Sequence, residues 1–282
     1  MSASFPSREY CLRALSANAL TAEDYARRRR RNRGARLVSA AAGARPVFSI
    51  LLERAVTRLE DESGFALYPS WAQRCFGSRL LVHVSPSRIA HYMCDWLELG
   101  ANRNAFHSSD YFLGSGSWEA LTREVSRMPV LQEARGLIEA DWNFRITASY
   151  RRLDEARRSG KPITRQQVKL DSIEKIDAYF IRFRSLYQSI LQHGFLANSA
   201  IATSLGIDAD REIGVAVDAT GRLVKLPGGQ HRFALAVVLG LDFIPVEVRM
   251  IHRDVVAALC EQLDFSPLAA IEHLLGQLNH SR

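Results

Sequence analysis

Between residues 212 and 250 the chain switches its hydrophobic period several times in quick succession, and few folds accept that order. Ile213, Val215 and Val217 alternate as on one face of a β-strand. Asp218-Ala219-Thr220-Gly221 then has the chemistry of a tight reversal, with an aspartate opening it and a glycine closing it. Residues 222–226 return as a second strand, which Pro227-Gly228-Gly229 ends. Residues 230–239 form an apolar helix stopped by Gly240, and residues 244–250 a third strand. Pro245 stands at the beginning of that strand, where a missing N–H is tolerated. Strand, reversal, strand, glycine turn, helix and strand together make a compact α/β unit.

Upstream, Ile173, Ile176, Phe180, Phe183, Tyr187, Ile190 and Leu191 recur at helical spacing, followed by Gly194 where a helix C-cap belongs. Residues 151–167 are densely charged and contain Ser159-Gly160-Lys161-Pro162, which reads as a linker. All four tryptophans (Trp71, Trp96, Trp118 and Trp142) precede it, so the first half is expected to have an aromatic core of its own. Residues 47–59, 89–99 and 118–128 read as helices, and residues 255–278 as two short helices divided at Ser266-Pro267. The expected class is α+β, a helical N-terminal region followed by a small α/β module. Its parts are a basic arm (1–36), a helical region (37–150), a linker (151–170), the module (171–253) and C-terminal helices (254–282).

Charge is concentrated at one end. Residues 1–36 hold nine arginines against three acidic residues, centred on the run from Arg27 to Arg33, whereas the other 246 residues are nearly neutral. Such a run stays solvated and attracts phosphates, so its expected partners are nucleic acid or an anionic membrane surface. It lacks interleaved aromatics on which single-stranded bases would stack. No apolar run approaches the roughly 18 residues of a membrane span. The four cysteines (Cys11, Cys75, Cys94 and Cys260) are scattered and form no C-x-x-C pair, and no H-E-x-x-H occurs. Disulfide frameworks and zinc centres are therefore not expected, and the expected location is the cytoplasm, with peripheral docking of the arm on the inner membrane surface as a variant.

The strongest chemical signal is the turn that opens the helix after residue 229. Two consecutive glycines let backbone turn sharply and approach a ligand closely. The helix start behind them offers unpaired N–H groups and the positive end of its dipole, an arrangement suited to phosphate. Gly228, Gly229, Gln230, His231 and Arg232 are therefore the candidate binding residues, with the imidazole and guanidinium as added donors. Other phosphate motifs fail. Gly160-Lys161 is followed by Pro162, and Gly114-Ser115-Gly116 lacks the third glycine of a dinucleotide fingerprint. Asp208, Asp210 and Glu212 form an acidic cluster that reads as a solvated loop.

The stretch Leu226-Pro227-Gly228-Gly229-Gln230-His231-Arg232-Phe233-Ala234, with Leu239-Gly240-Leu241 and Ile244-Pro245-Val246-Glu247-Val248 after it, resembles the ParB/sulfiredoxin-like superfamily over about residues 171–253. The resemblance implies a nucleotide, ATP or another nucleoside phosphate with Mg2+, held by this box. Sulfiredoxins have their reactive cysteine where this chain has Gln230, so their activity is not expected. Chromosome-partition members carry Glu-Arg-Arg at positions 230–232 and continue into a helix-turn-helix domain, for which the 29 residues after Arg253 are too few. Free-serine kinases of the superfamily match best at His231 and Arg232, and depart at Gly228, where an acidic residue is usual. By that likeness Asp171 and Glu174 are the candidate catalytic carboxylates. The expected activity is a kinase reaction on a small hydroxylated or glycan- or lipid-linked acceptor. The alternative is a non-catalytic ParB-like nucleic-acid-binding or regulatory module.

Overall fold

The computed structural model describes residues 69–93, 112–114, 122–165, 168–198 and 212–280. The arginine run Arg27–Arg33, Asp208, Asp210 and the helix expected at 47–59 lie outside them. In chain order the main elements are α1 (Pro69–Phe76), β1 (Leu81–Val84), β2 (His91–Met93), β3 (Leu113–Gly114), β4 (Thr122–Glu124), α2 (Pro129–Glu139), α3 (Ala148–Arg158), β5 (Thr164–Arg165), β6 (Val168–Lys169) and α4 (Ile173–His193). They continue with β7 (Ile213–Val217), β8 (Leu223–Lys225), α5 (Gln230–Val238), β9 (Ile244–His252), α6 (Arg253–Leu263) and α7 (Pro267–His280). The class is α+β, built on a mixed sheet in the order β1-β9-β7-β8-β2-β4, with β3 also on β9. β5 and β6 pair as a separate small hairpin. Among the described residues no helix is long and apolar enough to cross a membrane.

The sheet's centre is β7, parallel to β9 on one side and antiparallel to β8 on the other. All five of its residues are buried, so both faces are covered rather than only the Ile213-Val215-Val217 face. The second face is filled by small residues, and at Gly214 the Arg249 side chain lies where a Cβ would be. The Asp218 turn forms as its residues suggest. One carboxylate oxygen accepts from the amides of Thr220 and Arg222, both at 2.9 Å, and the other from Arg222 Nε at 2.8 Å. Burial pushes the Asp218 carboxyl up, but these donors outweigh it and hold it below the usual range.

α4 is the long amphipathic helix read from its spacing. The Ser172 hydroxyl caps it by accepting from Lys175 N at 3.3 Å, and Gly194, at φ +75°, donates its amide back to Ile190 O at 2.9 Å. It buries Ile176, Tyr179, Phe180, Phe183 and Ile190. Helix α5 packs against α2 and α4, while α7 lies on β1.

Three expectations are corrected. Residues 89–93 are not helical but carry β2, and 122–127 hold β4 and a 3-10 turn rather than the middle of a helix. Residues 151–158 belong to α3, which Thr147 caps by accepting from Tyr150 N at 3.2 Å, so the linker shrinks. Among the described residues the first half holds no separate core either. Strands β1, β2 and β4 share the sheet with β7–β9, and one apolar cluster runs from Ala72 to Leu278.

Candidate functional site

The turn after β8 is held from below. Leu226 N donates to Gly214 O at 2.9 Å, which ties the start of the turn to the central strand. Gly228 and Gly229 follow with φ of +95° and +63°, conformations that L side chains avoid. Gly229 is the N-cap of α5 and has no side chain to cap it, so the first amides of the helix lack intrahelical acceptors. Both glycines are exposed, and Gln230 opens the helix half-buried. A Cβ at Gly229 would lie 3.1 Å from Ile213 Cγ1. Gly229→Ala is therefore expected to cost about 1–2 kcal/mol from its left-handed φ alone, read as a lowered urea midpoint with unchanged slope.

Sequence reasoning passed over Lys225, the last residue of β8. Its side chain is buried, 1% exposed, and Nζ donates to the carbonyl oxygens of Leu226 and Gly228. The Phe233 ring of α5 sits 5.8 Å from Nζ. Burial first, and the neighbouring Arg249 second, lower its pKa to about 7. The available signal was a lone lysine among apolar strand residues directly before the glycine turn.

His231 turns inward. Its Nε2 lies 2.8 Å from Tyr179 Oη, and its ring meets Phe183 edge-on at 4.7 Å between centroids. The Tyr179 hydroxyl gives its single proton to the buried Glu133 carboxylate of α2, so the contact with His231 is closed by an N–H on Nε2. The ring is neutral: burial and the nearby Arg165 charge lower its pKa to about 4. Burial also raises Glu133, partly offset by the Tyr179 hydrogen bond and by Arg165 and Arg152. Arg165 is close enough to act on all three groups, and its Nε is buried without a hydrogen-bond partner.

Arg232 is committed to the protein as well. Its guanidinium donates to Asn198 Oδ1, to Leu196 O and, at 3.3 Å, to Glu212 Oε2, and it stacks 4.5 Å from the Phe195 ring centroid. Glu212, expected in a solvated loop, is instead buried and also accepts from Asn198 N. The side chains of His231 and Arg232 thus build the walls of the turn, and the exposed donor surface is main chain.

Asp171 and Glu174 flank the Ser172 cap of α4. Asp171 pairs with Lys175 at 2.7 Å, a bond that lowers its pKa. Glu174 is exposed in the first turn of α4, its carboxyl lowered by the Ser172 hydroxyl. Tyr179, which reaches His231, lies five residues further along, about 140° round the helix from Glu174. No hydrogen bond or ion pair joins either carboxylate to residues 228–232, and both act on the α4 terminus. Among the described residues no three His, Cys, Asp or Glu side chains converge as a metal-binding group. No family model, curated protein or solved structure matches this chain.

Proposed function

We propose that the chain is a nucleotide-binding protein of the ParB/sulfiredoxin-like kind, which seats the phosphates of ATP or another nucleoside phosphate on the turn from Gly228 to Arg232. The proposed activity is phosphoryl transfer to a small hydroxylated acceptor, including one carried on a glycan or lipid. One observation carries this reading: two exposed positive-φ glycines lead into a helix whose N-cap, Gly229, has no side chain to cap it. Main-chain N–H groups, rather than the His231 and Arg232 side chains, supply the donors. The Asp171 and Glu174 assignment has no support from their position, and Glu133, acting through Tyr179 and His231, is the carboxylate linked to the turn.

A thermal-shift series with ATP, ADP and CTP, with and without magnesium, tests the reading. At a hundredfold excess over Kd a ligand adds about 2.7 kcal/mol, or roughly 5–10 °C for a chain of this size. Absence of a shift with every nucleotide at millimolar concentration overturns it.

A further inference from the structure

We propose that Lys225 is the buried counter-charge of this turn, a positioning residue that holds its carbonyls inward and takes up a proton when a polyphosphate binds outside. This rests on the nucleotide-binding reading above and names the cation that serves it.

The geometry begins with the peptide plane. Nζ draws the Gly228 carbonyl toward the core, and a trans peptide places the Gly229 N–H on the opposite side of that bond, away from the lysine. The Leu226 carbonyl is drawn in likewise. One side chain thus turns two acceptors of the loop inward, and the donor it leaves on the outer side is the Gly229 N–H, since Pro227 after Leu226 has none. Lys225→Met would remove the tether while keeping the stem that fills the space beside Phe233.

Among the described residues no carboxylate forms an ion pair with Nζ. From α5 it faces the Phe233 ring, and from β9 the Arg249 guanidinium, which Glu247 neutralises at 2.8 Å. Its register neighbours are Val215 on β7 and Tyr92 on β2. Glu212 is held by Arg232 and Asn198. A buried ammonium with only carbonyl oxygens and a ring beside it is costly, so it sheds its proton near neutrality unless an anion compensates it. A polyphosphate on the other side of one peptide plane is such an anion. Binding therefore favours the protonated lysine, and the protein takes up a proton wherever the free residue is largely neutral, above pH 7.

The test is isothermal calorimetry with Mg-ATP from pH 7.5 to 8.5, where its phosphates are fully ionised, in two buffers of different ionisation enthalpy. The wild-type protein is expected to bind about tenfold more weakly at the upper pH and to take up close to one proton per nucleotide. Lys225→Met is expected to bind more weakly with a flat pH dependence and no uptake. Binding by wild type without proton uptake, or equal uptake in both proteins, overturns the role of Lys225 and leaves nucleotide binding intact. A wild type that binds no Mg-ATP at either pH overturns both. If the variant does not fold, the two-buffer measurement on wild type decides alone.

Discussion

Arg232→Ala is expected to lower folding stability by about 3–5 kcal/mol, the cost of removing one partner from a buried ion pair. The guanidinium is 15% exposed and Glu212 9%, so water does little to screen or replace the lost partner. Asn198 and the Leu196 carbonyl lose a donor together with Glu212, and Phe195 loses the plane stacked on it. Urea unfolding of the single variant and of Arg232→Met/Glu212→Leu separates charge from packing. The double variant is expected to recover most of the loss, because apolar groups of similar volume remove the stranded charge. On the proposed reading nucleotide affinity in that background is expected to stay within about threefold, since that reading gives the phosphates main-chain donors. A collapse of affinity in a folded double variant would return Arg232 to the ligand.

Acidification from pH 7 to pH 4.5 is expected to remove about 2–3 kcal/mol through His231 alone. Its folded pKa is about 4 against an ordinary 6.5, so over this window the unfolded chain binds the proton and the folded one resists it. Stability linked to this group is complete above pH 6.5 and is lost as pH falls toward 4. Glu133 acts in the opposite sense. Its folded pKa is raised, so acid relieves its burial and offsets part of the loss. The measurement is therefore a difference, wild type minus His231→Leu, from urea titrations at several pH values. The difference is expected to shrink as pH falls, because the variant carries no imidazole to protonate. A difference independent of pH would mean that His231 titrates alike in the folded and the unfolded chain.

How much of this was legible in the sequence depended on element length. The run from β7 to β9 announced itself because alternation, the Asp218 reversal and paired glycines each act within a few residues. Strands β2 and β4 are three residues long, too short for any alternation to show, and their apolar residues happened to fit a helical period. α3 reads as a linker because most of its charges point outward, while its three buried residues (Tyr150, Leu153 and Asp154) are a sparse signal. At the site, the glycine turn could be read, since φ > 0 is a local demand on residue type. The directions of His231 and Arg232 could not. They are set by Tyr179 on α4 and by Glu212 before β7, and a one-dimensional pattern does not say which partner lies across the fold. Lys225 escaped for a related reason, since a lysine near a strand end is ordinarily a surface residue.

The long strand β9 joins the earliest and latest parts of the described chain. Its outer edge receives β1 along Ile244–Glu247 and then β3 at Ile251 and His252, and α7 closes over β1, with Arg79 bonded to Glu272 across 193 residues. Until β9 leaves the ribosome, β1 and β3 have no edge to join. Closing so many distant pairs slows folding and prolongs the exposure of unpaired strand edges. Strand β1 therefore waits with an open edge while all the residues that separate it from β9 are made.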